Sequence, residues 1–130
     1  MKKLTLIAIL LLVFLAGCGA TDDGETDYIA DAEAFLGNLQ NGEFDAARKN
    51  FDQAMDSQLS TADLEEMWAS ITEQLGPFQE QSDSRIEEEG EYQMVYLTCV
   101  FEKETINMRV VYNQDGQIAG LQFLPVSATE

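Results

Sequence analysis

At Gly76-Pro77 the periodicity of the chain changes, and this change restricts the fold more than any other feature. Upstream, apolar residues recur every three or four positions, the spacing of a helix stripe. Downstream they recur every second position, the spacing of a strand with one buried face. Helical stripes followed by half-buried strands bury their apolar faces most simply against each other. The pattern predicts an α+β domain, with N-terminal helices packed on one face of an antiparallel sheet.

The helical half divides into three. Ile29, Ala32, Phe35, Leu36 and Leu39 make one stripe over residues 27–40, and Asn41-Gly42 stops it. Phe44, Ala47, Phe51 and Met55 predict a second, shorter helix over residues 44–55. Ser60 with Asp63 three positions on forms a capping box for a third helix. Its stripe is Leu64, Met67, Trp68, Ile71 and Leu75. Gly76-Pro77 ends it, and Phe78 can pack back on that end.

Three turns set the sheet. A turn at Gly90-Glu91 pairs Ile86 with Val95. A turn at Lys103-Glu104 pairs Phe101 with Ile106, Cys99 with Met108, Leu97 with Val110 and Val95 with Tyr112. Asp115-Gly116, a good two-residue hairpin turn, pairs Tyr112 with Ala119, Val110 with Leu121 and Met108 with Phe123. All three choices put one apolar set on one face: Ile86, Val95, Leu97, Cys99, Phe101, Ile106, Met108, Val110, Tyr112, Leu121 and Phe123. A slip of one residue in any hairpin would break that agreement. The expected sheet is a curved four-stranded meander.

The start of the chain has its own logic. Met1-Lys2-Lys3 is basic, and Leu4 to Leu15 is apolar apart from Thr5. That run fits a signal sequence and is short for a spanning helix, which needs about 20 apolar residues. Leu15-Ala16-Gly17-Cys18 resembles a bacterial lipobox, in which small residues enter a peptidase cleft and the Cys18 thiol accepts a lipid. The expected organisation is a signal peptide over residues 1–17, a lipidated Cys18 opening an acidic tether over 18–27, one α+β domain over 28–125, and a tail over 126–130. An uncleaved N-terminal anchor is the alternative. Either way the domain lies outside the cytoplasm, held at the membrane.

Composition removes several chemistries. There are 24 acidic and 7 basic side chains and no histidine. Removing Lys2 and Lys3 with the signal takes the formal charge of −17 further negative. Such a charge opposes nucleic acid and anionic lipid surfaces. The missing histidine excludes Ser-His-Asp and Cys-His catalysis and imidazole metal sites. With Cys18 acylated, Cys99 is the remaining thiol, and its apolar run VYLTCVF makes it a core residue. No phosphate loop, nucleophile elbow or metal spacing is present, so no catalytic residue, metal or cofactor is assigned. The acidic run from Glu87 to Glu91 lacks the alternating oxygen ligands of a calcium loop.

The segments FLGNLQNGEFDAARKNFD, LEEMWASITEQLGPF, YQMVYLTCVFEK, INMRVVYN and GQIAGLQFLP, in this order, resemble an uncharacterised domain of secreted prokaryotic proteins. That family is similar to the cystatin and nuclear-transport-factor superfold. In some relatives the domain precedes a secreted α/β-hydrolase. The resemblance covers roughly residues 28–125, and with the chain stopping at Glu130 no hydrolase activity is expected to carry over. It transfers no catalytic residue.

Two candidate sites follow. The sheet face away from the helices would carry Tyr92, Met94, Tyr96, Arg109, Val111 and Ile118, with Glu87, Thr98 and Gln122. Tyr and Met are enriched in interface cores, so this face could dock a second copy or an envelope protein; an ordinary solvent face is the alternative. Arg109 would bind an anionic group or pair with local acids. The second candidate is a pocket between helices and sheet walled by Phe35, Phe51, Trp68 and Tyr112, for a small apolar ligand; a filled core is the alternative. The leading expectation is a non-enzymatic binding or interaction module. A ligand carrier comes second, and an enzyme using carboxylates and tyrosine third.

Overall fold

A computed structural model describes residues 27–126 of the chain. The signal peptide, Cys18, nearly all of the tether and residues 127–130 lie outside the described residues. Four α-helices precede four strands: α1 (Tyr28–Gln40), α2 (Phe44–Ala47), α3 (Gln53–Gln58), α4 (Thr61–Leu75), β1 (Phe78–Glu89), β2 (Tyr92–Phe101), β3 (Thr105–Tyr112) and β4 (Ile118–Pro125). No described helix is long and apolar enough to cross a membrane.

Local chemistry explains the helix ends. Asp27 caps α1 by accepting the Ala30 N–H at 3.0 Å. The capping box of α4 forms as expected: Ser60 Oγ accepts from the Asp63 N–H, and Asp63 Oδ2 accepts from the Ser60 N–H. Gly76 ends α4 with φ +85°, a left-handed value that favours glycine.

The predicted second helix breaks into two. α2 gives way to a 3₁₀ turn (Arg48–Asn50), Phe51 is extended, and Asp52 caps α3 through the Met55 N–H. The break has a tertiary cause. Phe51 forms a parallel bridge to Ile118, and the Asp52 N–H donates to the Ile118 carbonyl at 2.9 Å. Two strand-like residues there satisfy the start of β4, which the apolar spacing alone did not show.

The strands form one antiparallel sheet in the order β1-β2-β3-β4. Ile86 pairs with Val95 as the Gly90-Glu91 turn requires. Val110 pairs with Leu121 and Met108 with Phe123, again as expected. The β2–β3 register sits two residues from the predicted one: Cys99 faces Ile106, Leu97 faces Met108 and Val95 faces Val110. A shift of two keeps every side chain on its face, so the core set survives the change. The cause is a turn that sits one residue earlier, at Glu102-Lys103, where the Phe101 N–H donates to the Glu104 carbonyl at 2.9 Å and the turn leans on α4. The Glu102 N–H donates to the Pro77 carbonyl and the Lys103 N–H to the Leu75 carbonyl, at 3.0 and 2.7 Å.

The core lies between helices and sheet. Ala32, Phe35, Leu36 and Leu39 of α1 and Leu64 and Trp68 of α4 meet Val95, Leu97, Cys99, Met108, Val110 and Tyr112. Each fully buried large side chain contributes about 1.5–3 kcal/mol relative to exposure. Trp68 touches the rings of Phe78, Phe101 and Phe123 at 5.8–6.4 Å. One member of the predicted core face departs from it: Ile86 is exposed, out on the edge strand near the β1–β2 hairpin.

Candidate functional site

The face of the sheet turned from the helices is built by cross-strand rows. One row runs Arg85, Tyr96, Arg109 and Gln122; the next runs Glu87, Met94, Val111 and Gly120. Arg109 therefore lies across from Tyr96, where the predicted register had placed Thr98; Thr98 instead faces Asn107. In a strand, alternate residues share a face, so Tyr92, Met94 and Tyr96 project together from β2.

Met94 and Tyr96 are each only 8% exposed, yet they stand outside the core cluster beneath the helices. The Arg85 guanidinium stacks over the Tyr96 ring at 4.3 Å and pairs with Glu87 at 3.1 Å. A groove of about 450 Å³ opens beside this row, lined by Asp52, Ala54, Glu89, Tyr92, Met94, Arg109, Val111, Ala119 and Gly120. Four of the six residues expected on this face meet there: Tyr92, Met94, Arg109 and Val111. Tyr96 adjoins them.

Ile118 does not. It is 1% exposed and belongs to the core cluster. The cause is a β-bulge between Val111 and Tyr112, which pairs Tyr112 with Ile118 in place of the expected Ala119. The extra residue turns Ile118 inward and leaves Ala119 to line the groove. Asp52, Ala54 and Glu89 also line it, and sequence reasoning missed them. The α3 cap reaches the groove because Asp52 is bound to the start of β4; no signal in the sequence pointed there.

Arg109 does not pair with local acids. Among the described residues its guanidinium makes no hydrogen bond or ion pair, and its Nε is buried without a partner. An unsatisfied buried donor costs about 1–3 kcal/mol.

The residues expected to wall an inner pocket are all buried in the core: Tyr112, Phe35, Phe51 and Trp68. Phe35 meets Phe51 with ring centres 6.2 Å apart, Tyr112 meets Tyr28 at 4.9 Å, and Trp68 sits in its own ring cluster. Phe35 lines a hollow of about 170 Å³ with Asp31, Asn38, Lys49 and Asn50, and Trp68 lines a separate open one of about 300 Å³. The four do not share either hollow. Burial pushes the Cys99 thiol up to about 12, so it is not a nucleophile at neutral pH. No group of metal-ligating side chains occurs among the described residues.

A family model described as "protein of unknown function (DUF3887)" matches residues 32–121, from within α1 into β4. Among curated proteins, the chain is 30% identical over 102 residues to the esterase EstD of Thermotoga maritima. The match covers 77% of this chain and 25% of that protein, so the chain spans about a quarter of its relative's length. Among solved structures, the fold is similar to the NMR structure of a protein from Ruminococcus gnavus. The TM-score is 0.59 at 16% identity, covering 78% of this chain and 94% of that one. At that identity the likeness is one of fold.

Proposed function

Since the chain belongs to the DUF3887 family of proteins of unknown function, we propose that it serves as a membrane-tethered, extracytoplasmic binding module that works through its outer sheet face. One observation carries this reading: Tyr92, Met94 and Val111 line a groove with an arginine that no described residue neutralises. Aromatic, Met and Arg side chains in a depression with a polar rim are the composition of a recognition surface. The missing histidine and the raised Cys99 thiol argue against nucleophilic catalysis. The basic start, the apolar run and Leu15-Ala16-Gly17-Cys18 support a lipid anchor at Cys18. The order of helices and meander supports membership of the cystatin and nuclear-transport-factor superfold.

The test is photo-crosslinking in intact cells from probes at Tyr92 and Val111, with a control probe at exposed Glu65 on α4. A defined protein adduct from the first two and none from the control supports the reading; no adduct, or the same adducts from all three, ends it. The anchor is tested by labelling with an alkyne fatty acid, which Cys18→Ala should abolish.

A second reading concerns the partner. Identity to a quarter of an esterase favours an ester-hydrolysing protein as what this face meets. Mass spectrometry of the crosslinked adduct decides it.

A further inference from the structure

We infer that the outer-face groove binds a small monocarboxylate with an apolar body, and that Arg109 anchors the carboxylate. The inference rests on the reading of this face as a binding face and names its ligand chemistry.

Acids are abundant in this chain, with a formal charge of −17, yet none comes within ion-pair distance of Arg109 among the described residues. Its register neighbours are Tyr96 and Gln122, neither of them anionic. Asp52 and Glu89 line the same groove without reaching it. Asp52 is held in place by accepting the Met55 N–H at 2.8 Å. A planar guanidinium left in this state matches the two oxygens of a carboxylate.

The rest of the groove selects the ligand's body. Met94, Val111 and Tyr92 supply apolar surface beside Arg109. Gly120 supplies bare backbone: a Cβ there would lie 3.3 Å from the Val111 Cβ. The floor is therefore open and flat enough for a ring or a branched chain. A volume of about 450 Å³ suits a small molecule. The rim carboxylates of Asp52 and Glu89 oppose a second negative charge, and the field of the whole chain opposes polyanions. One carboxylate on an otherwise apolar group satisfies both constraints.

The experiment is an NMR titration of the full chain in detergent micelles with three probes that share a ring: benzoate, benzylamine and phthalate. Benzoate should shift the amides of Met94, Val111 and Gly120 and saturate in the millimolar range. Benzylamine and phthalate should bind at least tenfold more weakly. Arg109→Gln should weaken benzoate at least tenfold, and Arg109→Lys should retain part of the binding. Val111→Glu places a carboxylate beside Arg109 and should abolish binding, which keeps the test decisive if Arg109→Gln disturbs the fold. Unchanged signals of Leu36 and Leu64, core residues on the helices, certify each variant. Absence of saturable shifts, equal binding of benzylamine, or full binding by Arg109→Gln overturns the inference. If crosslinks from Tyr92 persist while benzoate fails, the binding face stands and this ligand assignment alone falls.

Discussion

The Tyr112 hydroxyl donates to Asp31 Oδ2 at 2.7 Å, joining β3 to α1 across 81 residues of chain. Asn50 braces the same corner, donating to the Gly116 carbonyl at 2.8 Å and reaching Asp31 Oδ2 at 3.5 Å. The Tyr28 ring closes it from the start of α1. This hydroxyl ties the first turn of α1 to the end of β3.

Tyr112→Phe leaves the Asp31 carboxylate without its best donor and should cost about 1–2 kcal/mol, read as a lower urea midpoint at pH 7. Burial first, and the Asp31 carboxylate second, push the tyrosine well above its ordinary value. The folded chain keeps this proton after the unfolded chain has released it. Stability from Tyr112 is therefore complete below about pH 10 and is lost as pH rises further. Midpoints at pH 9 and 11 should fall less in Tyr112→Phe than in the parent.

Arg48 holds the broken helical segment together. Its Nε donates to the Leu59 carbonyl, Nη1 to Thr61 Oγ1, and Nη2 to the carbonyl and carboxylate of Asp56, at 2.7–3.2 Å. Arg48→Ala should cost about 2–3 kcal/mol, and Arg48→Lys nearly as much, because an ammonium has no fork to span these acceptors. Amide exchange should accelerate at Met55 and Leu59 before the sheet.

Gly76→Ala should be among the worst small substitutions. It combines φ +85° with a Cβ placed 2.7 Å from the Glu102 Cβ. The turn that docks on the end of α4 must move, at a cost of about 2–4 kcal/mol. Thermal denaturation measures it; a shift within error would refute the contact.

Cys99 should resist alkylation. With its thiol raised to about 12 by burial, iodoacetamide at pH 8 should modify the folded protein roughly a thousandfold more slowly than the urea-unfolded protein. Rapid labelling without denaturant would show that β2 opens.

Ile118→Ala and Val111→Ala differ by one face of one sheet. The first empties a core position and should cost about 2–4 kcal/mol; the second trims the groove and should cost under about 1 kcal/mol. Chemical denaturation of both separates the bulged register from the regular one, in which Ile118 would face outward.

These contrasts show where the sequence was legible. The switch of period at Gly76-Pro77, the Ser60–Asp63 capping box and the turn at Gly90-Glu91 are short-range, and each formed as its chemistry required. The α+β architecture followed from them. What stayed hidden depends on contacts between distant segments. The helix predicted over residues 44–55 breaks because Phe51 and Asp52 bind Ile118. The turn expected at Lys103-Glu104 moves to Glu102-Lys103 because the amides of those two residues find the carbonyls of Pro77 and Leu75. The outer face was legible as far as alternation carried it, through Tyr92, Met94, Arg109 and Val111. It failed at Ile118, where one bulge reversed the alternation.

Strand β1 is an edge of the sheet, and beyond Phe78 it carries Glu80, Asp83, Glu87, Glu88 and Glu89. An edge is where one sheet can recruit another, since its backbone donors and acceptors await a partner strand. Here any approaching copy brings the same row of carboxylates against this one. The molecule thus has two boundaries of opposite character: a face grooved beside an arginine unpaired among the described residues, and a margin whose charge opposes pairing with the same margin of another copy.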